Sequence, residues 1–182
     1  MRIFLAVLGL LLLSACVQPI TLPPYQPETT AEIDGGIVVR DFKYFPKSNV
    51  PVDVIHNTAA GTLKVTDNVP QYFGNAVRRE LRQAGISLKP ESRCKLDGEI
   101  NDLTIDDLGW SADWISDVRY ILWDANDKPL LDNSYQGKFT TAKYTAVEIA
   151  LASLNKMISN NIAQLIADPA FQKAVKENCP KP

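Results

Sequence analysis

Two stretches of the chain repeat apolar residues at the three- and four-residue spacing of an amphipathic helix. The first stretch begins at Asn68, a suitable N-cap, and ends before Gly85. Its apolar positions are Tyr72, Phe73, Ala76, Val77, Leu81 and Ala84. The second stretch covers residues 145–167, with apolar positions Val147, Leu151, Leu154, Ile158, Ile162 and Leu165. Asp168-Pro169 ends it, and residues 170–178 are predicted to form a short closing helix.

The remaining apolar segments favour strands. Residues 37–42 are rich in β-branched side chains, and residues 52–55 and 62–66 predict a short hairpin. Three longer strands with short connections are predicted at 95–105, 110–124 and 129–141. Consecutive strands with short connections are typical of an antiparallel meander. The pattern therefore predicts an α+β domain, in which one mainly antiparallel sheet has the two long helices packed on one face.

The N-terminus has the pattern of a bacterial lipoprotein signal. Arg2 precedes an apolar run, residues 3–13, that is shorter than the roughly 20 residues of a membrane-spanning helix. Leu13-Ser14-Ala15-Cys16 matches the lipobox, in which small residues precede a cysteine whose thiol accepts diacylglycerol. We therefore expect residues 1–15 to be removed as a signal peptide. We also expect acyl chains on Cys16, palmitate among them, to hold the mature chain on a membrane.

Residues 16–34 are predicted to be a tether, because they contain four prolines and no apolar periodicity. Residues 35–182 are then a single globular domain. The residue after the lipidated cysteine is Val17, whereas an aspartate there commonly retains lipoproteins at the inner membrane of enteric bacteria. The expected location is therefore the periplasmic face of the outer membrane of a Gram-negative bacterium.

The composition argues against several functional classes. A formal net charge of -2 at pH 7 gives no reason to expect nucleic-acid binding. His56 is the single histidine, which excludes a metal site built from several histidines and leaves no clear nucleophilic device. We therefore expect a protein that is not an enzyme and has no cofactor and no metal. A carboxylate pair for glycoside hydrolysis stays open as an alternative.

An acidic run lies in the predicted meander, between Leu96 and Val118. It contains no lysine or arginine and consists of Asp97, Glu99, Asp102, Asp106, Asp107, Asp113 and Asp117. It is either a negative rim for a basic partner or cation, or a solvated sheet face with its hairpin tip. As candidate surface residues for a partner we take Asp106, Asp107 and Asp113.

Two tryptophans extend this candidate surface. Trp110 and Trp114 stand four positions apart in a predicted strand, so they are expected to face the same side. Tryptophans suit both a core and a binding surface. If they are exposed, they mark a surface that docks on a protein or binds glycan or peptidoglycan.

The two other cysteines are expected to form a disulfide. Acylation uses Cys16, which leaves Cys94 and Cys179 as an even pair. An exported domain lies in an oxidising compartment, where paired cysteines tend to form disulfides. The alternative is two separate buried thiols that act as small apolar residues.

Several of these motifs together resemble those of the YajG-type lipoproteins. The motifs are the lipobox, the Pro-rich tether, the Phe73 to Ile86 helix pattern, the Leu96 to Ile100 strand and the closing helices. More loosely, the chain resembles auxiliary lipoproteins of envelope ABC transport and polysaccharide export systems. The likeness covers most of residues 35–178 and consists of spacing patterns, so it implies a fold and a compartment but no active site.

The expected function follows from the anchor and this resemblance. It is a non-enzymatic, outer-membrane-anchored lipoprotein that docks on envelope protein partners, with an export or lipid-handling assembly as the candidate setting. A homo-oligomer is a further expectation. The alternative is a glycan- or peptidoglycan-binding envelope module that uses exposed tryptophans.

Overall fold

A computed structural model describes residues 19–45, 50–143 and 145–182, without the side chain of Val147. The predicted signal peptide and Cys16 lie outside the described residues. In chain order, the strands are β1 (Gly35–Val39), β2 (Lys43–Tyr44), β3 (Val54–Asn57), β4 (Gly61–Lys64), β5 (Ile86–Ser87), β6 (Cys94–Asp106), β7 (Ser111–Trp123) and β8 (Pro129–Ala142). The helices are α1 (Val69–Gln83), between β4 and β5, and then α2 (Val147–Ala167) and α3 (Pro169–Asn178), after β8.

The eight strands form one mixed sheet around β6. On one side β6 continues into the predicted antiparallel meander, β6–β7–β8. On its other side β6 pairs in parallel with β1, β2 and β3 in turn, and β1 also pairs in parallel with β5. Within the described residues, four of the seven strand pairings are parallel, so the expectation of a mainly antiparallel sheet is wrong. Apolar alternation indicates which face of a strand is buried, but it does not indicate the direction of the neighbouring strand.

The helices lie on one face of the sheet, as predicted, but only one of them is long. Helix α2 has 21 residues, whereas α1 has 15 and is followed by Gly85 at a φ of +88°. Phe42 connects α1 to the sheet, since its ring stacks on Phe73 and meets Tyr120 edge-on. The Tyr120 hydroxyl in turn donates to Asn161 of α2 at 2.7 Å. Both helices therefore cover the same face, which we call the inner face.

The core lies between this inner face and the helices. Alternate residues of β6 and β7 are fully buried there, among them Leu96, Ile100, Val118 and Leu122. The predicted stripe of α2 faces them, and its members Leu154, Ile158, Ile162 and Leu165 are 0–1% exposed. Gly98 is required where Phe42 crosses β6, because an added Cβ would lie 2.1 Å from the Phe42 ring.

Helix α2 also covers the free edge of β8. Gly137 allows the close approach, since an added Cβ would lie 2.4 Å from the Met157 carbonyl oxygen. Side-chain amides of α2 then donate to carbonyl oxygens of β8. The pairs are Asn160 to Lys138 at 2.8 Å, Asn161 to Tyr135 at 2.6 Å, and Gln164 to Gln136. These amides therefore bind carbonyl oxygens along the middle of β8, the edge strand of the meander.

The segment predicted as a tether packs on the domain instead of standing clear of it. We call residues 20–33 the strap. Its side chains Leu22, Tyr25 and Ile33 are 3–7% exposed and belong to the core. Ile20 forms a parallel bridge with Val65, with Ile20 N donating to the Lys64 carbonyl at 2.9 Å. Packing therefore begins well before Gly35, the predicted start of the domain.

The predicted disulfide is confirmed. Cys94, the first residue of β6, is bonded to Cys179 just after α3, with a Cα–Cα distance of 5.5 Å. Both residues are fully buried. Gly36 N adds a hydrogen bond of 2.7 Å to the Cys179 carbonyl, so the C-terminus is fixed against β1 and β6.

Candidate docking surface

The face of the meander opposite the helices is mostly polar and carries the acids of β6 and β7. We call it the outer face. In the β6–β7 register, Asp102 lies directly opposite Asp117, and Asp106 lies directly opposite Asp113. We call these four residues the acidic patch. Like charges that face each other across two strands repel, so donors and cations that bind these carboxylates stabilise the patch.

Part of the acidic patch has internal partners. Asp113 accepts hydrogen bonds from Lys138 Nζ at 2.8 Å and from Thr140 Oγ1 at 2.6 Å, and these bonds lower its pKa. Asp102 accepts from Thr104 Oγ1 at 2.6 Å. Asp117 is held by side-chain amides at 3.4 and 3.5 Å. Lys138 is thus the cation that these bonds place against the patch.

The acids of the outer face that lie farther from the β6–β7 turn are paired with cations. Arg119 bridges Asp132 at 2.6 Å and Glu99 at 3.1 Å, and the hydrogen bond from Arg119 lowers the pKa of Asp132. Arg40 reaches Asp97 at 3.1 Å. The acidic run of the sequence therefore splits into a part whose acids pair with arginines, at Asp97 and Glu99, and the acidic patch near the β6–β7 turn.

The β6–β7 turn, residues 107–110, is hydrogen-bonded to the turn between β3 and β4. Thr58 Oγ1 donates to Asp106 Oδ1 at 3.0 Å, and Ala59 N donates to Asp107 Oδ1 at 3.0 Å. The two acids therefore point towards the neighbouring turn. In the same turn Leu108 is 72% exposed and Trp110 is 94% exposed.

The two candidate tryptophans do not share a surface, so that expectation is wrong. Trp110 is almost fully exposed, whereas Trp114 is 4% exposed and lies in the core. Strand β7 begins at Ser111, so Trp110 belongs to the turn, where strand alternation does not apply. Trp123 lies at the far end of β7 and donates from Nε1 to Asp97 at 2.7 Å.

The other chemical candidates of the sequence are placed as follows. His56 lies in β3, not in a loop, and its Nδ1 is 3.1 Å from the Gly61 carbonyl oxygen. Among the described residues, no three His, Cys, Asp or Glu side chains are grouped to hold a metal ion. Three clefts of 380, 410 and 460 Å³ contain no tryptophan in their linings.

In the described ranges no helix is both long and apolar enough to cross a membrane.

One functional residue was missed by the sequence analysis. Glu80 of α1 is 2% exposed, and its carboxylate accepts from Tyr25 Oη at 2.6 Å and from Glu28 N and Thr29 N, both at 2.9 Å. Burial and the hydrogen bond to Glu80 raise the pKa of Tyr25 well above its usual value. A signal was present, because Glu80 follows Phe73 and Val77 at helical spacing and so lies on the apolar stripe.

Comparisons with known proteins identify the fold. No protein-family model and no curated protein matches the sequence. The structure is similar to protein XCC0632 from Xanthomonas campestris, of family DUF330, with a TM-score of 0.59 and 9% identity over 87% of this chain and 95% of that one. It is also similar to the hypothetical protein CT253 from Chlamydia trachomatis, with a TM-score of 0.53 and 8% identity over 76% of this chain and 97% of that one. At these identities the likeness shows a shared fold.

Proposed function

We propose that this chain is a non-enzymatic lipoprotein of the bacterial envelope, held at the periplasmic face of the outer membrane by acyl chains on Cys16. The lipobox supports the anchor. The buried Cys94–Cys179 disulfide supports export, because such bonds persist in oxidising compartments. The resemblance to YajG-type proteins and to auxiliary lipoproteins of transport and export systems supports a role as a component of an envelope assembly.

The folded domain docks on a protein partner through its acidic patch. The observation that carries this proposal is the register that sets Asp102 against Asp117 and Asp106 against Asp113 on a face without helices. Lysine or arginine side chains of a partner would relieve the like-charge repulsion and give electrostatic complementarity. The partner is accordingly an envelope protein with a basic surface.

The glycan- or peptidoglycan-binding alternative has less support. It needs a platform of exposed tryptophans, and Trp114 is buried. Trp110 is left as a single exposed indole on a turn, away from the linings of the three clefts.

Charge reversal within the patch tests the docking proposal. We expect Asp113→Lys/Asp117→Lys to weaken crosslinking to envelope partners in intact cells, because it places cations where a basic surface would bind. Capture by the unmodified protein should also fall as salt is added. The matched control is Glu91→Lys/Glu177→Lys, which makes the same change in charge at exposed positions away from the patch. Equal partner yields from both double variants would contradict docking through the patch.

Substitution at the lipobox tests the anchor. We expect Cys16→Ala to remain uncut and to incorporate no radioactive palmitate, because the thiol is the acyl acceptor. Equal labelling of the variant and the natural chain would refute the lipoprotein assignment.

A further inference from the structure

The β3–β4 turn and the β6–β7 turn lie at the same end of the sheet, and the β6–β7 turn exposes two large apolar side chains. The turn between β3 and β4 contacts the β6–β7 turn through Thr58 and Ala59. Beyond this contact stand Leu108, 72% exposed, and Trp110, 94% exposed. Neither side chain has a role in the acidic patch or in the core.

The N-terminal chain approaches this same end. Strand β4 starts at the β3–β4 turn and runs away from it, and Ile20 pairs with Val65 in parallel. The strap therefore also runs away from the turns, so the path backward from Ile20 leads towards them. Four residue steps lead from Cys16 to Ile20, and four lead from Gly61, at the turn, to Val65. Four steps span at most about 14 Å, which limits the distance between Cys16 and Ile20 to about the length of strand that separates Val65 from the turn.

The strap limits the distance between Cys16 and the folded domain, because its residues are bonded to the domain. Ile20 is fixed by backbone hydrogen bonds to β4, and Leu22 N donates to Asp67 Oδ2 at 3.2 Å. Farther along, the buried Glu80 carboxylate holds residues 28 and 29. A membrane beyond the end of the sheet that carries the two turns lies within this reach.

The β6–β7 turn has the chemistry of a lipid contact. Tryptophan is enriched at membrane–water interfaces, and leucine favours the acyl region. Backbone polar groups that enter lipid need internal partners. Here Lys143 Nζ donates to the carbonyl oxygens of Asp107 and Gly109, and Leu108 N donates to Asp106 Oδ1 at 3.4 Å. Lys143 follows Ala142, which pairs with Ser111, and its long side chain can keep the ammonium at headgroup level.

We propose that the β6–β7 turn is a second, non-covalent membrane contact, in which Leu108 and Trp110 enter the lipid surface that holds the acyl chains of Cys16. This inference rests on the proposed lipid anchor. The domain then stands on the membrane with β6, β7 and β8 rising from it. Because Asp107 is in the turn and Asp106 directly precedes it, a zwitterionic lipid surface suits the contact better than an anionic one.

Tryptophan fluorescence in vesicles tests the contact. The full acylated chain is reconstituted into phosphatidylcholine vesicles whose acyl chains carry bromine, a quencher of indole emission. The difference between the natural chain and Trp110→Phe isolates the emission of Trp110 without changing the buried Trp114. We expect bromine to quench this emission and the bilayer to remove most of its quenching by aqueous acrylamide.

Trp123 provides the matched control within the same molecule. Strand β7 places it 12 residues beyond Ser111, or about 40 Å from the turn at strand rise. The difference between the natural chain and Trp123→Phe should therefore show no bromine quenching. This comparison distinguishes a domain that contacts the bilayer only through the β6–β7 turn from one that contacts it along the whole length of β7.

The outcomes are distinct. Trp110 emission that is insensitive to bromine in a chain with verified acylation would overturn the membrane contact, and it would point to a protein as the occupant of the turn. Equal quenching of Trp110 and Trp123 would also overturn it. Absence of acyl chains on Cys16 would instead refute the proposed function, and the reach argument would fail with it.

Discussion

At the scale of single residues, Glu80 shows how one buried charge fixes a long segment of chain. Its carboxylate receives one hydroxyl and two backbone N–H donors from the strap. Removing this acceptor leaves the buried Tyr25 hydroxyl without a partner, which costs about 1–3 kcal/mol, whereas the two part-buried N–H groups can turn to water. The strap therefore depends on Glu80 more than on any exposed ion pair.

The first prediction follows from this arrangement. Glu80→Ala should lower the free energy of unfolding in urea by about 1–3 kcal/mol and should make the strap sensitive to proteases. The exposed Glu177→Ala should stay within about 0.5 kcal/mol of the natural chain. If both variants melt alike and resist proteolysis alike, Glu80 does not hold the strap.

Asp168 gives a prediction that depends on pH. It caps α3 by accepting from Ala170 N at 2.7 Å, and it also accepts from Asn133 Nδ2 and Tyr135 Oη. The hydrogen bond from Tyr135 is the main cause that lowers its pKa below the ordinary 3.8. A lowered pKa in the folded state means that the carboxylate contributes stability above the unfolded value, and that this contribution is lost as pH falls through the folded value.

Asp168→Asn keeps a capping oxygen but removes the charge, so it should lower stability at pH 7 by about 1 kcal/mol, the difference between hydrogen bonds to a charged and to a neutral acceptor. The difference between variant and natural chain should shrink as pH falls below 3.8. Urea unfolding at pH 7 and pH 3 measures both. A difference that is constant across this range would show that the charge of Asp168 makes no contribution.

At the scale of elements, helix α2 is the clearest match between sequence and structure. Leu154 and Ile158 of its stripe are 1% exposed, while Lys156 on the other side bridges Glu28 at 2.6 Å with its side chain 43% exposed. We expect Leu154→Ala or Ile158→Ala to cost about 2–5 kcal/mol in urea melts. Lys156→Ala should cost less than about 1 kcal/mol, as exposed ion pairs do. A reversed ranking would contradict the assigned orientation of the helix.

The elements also show where prediction from sequence stops. Long periodic segments, such as α2 and the β6–β8 meander, were recognised because many residues repeat one spacing. Strands β1, β2 and β3 have two to five residues, too few to indicate their direction relative to β6. The start of β7 was placed one residue early, and that single position moved Trp110 from a strand face to a turn.

The strap was missed for a related reason. Leu22, Tyr25 and Ile33 are spaced irregularly among prolines, so no period distinguishes them from a solvated tether. Their packing becomes visible only in the structure, where they cover α1 and its buried Glu80. A site that depends on contacts between distant segments leaves little trace in local patterns.

At the scale of the whole molecule, the disulfide joins the start of β6 to the end of the chain, with a sequence separation of 85. Cys94→Ser/Cys179→Ser should lower the free energy of unfolding by about 2–5 kcal/mol, because the unfolded chain gains freedom. Urea melts of oxidised, reduced and double-variant chains measure this. The reduced natural chain and the variant should agree, and a variant as stable as the oxidised chain would exclude a stabilising role.

A lipid anchor confines all copies of a protein to one plane, where neighbours collide edge to edge at high local density. An open strand edge is dangerous in that setting, since it offers unpaired backbone to the next molecule. The amides of Asn160, Asn161 and Gln164 already occupy the carbonyls in the middle of β8. If the proposed anchor holds the chain, these bonds disfavour sheet-to-sheet pairing of neighbouring copies through this stretch of β8.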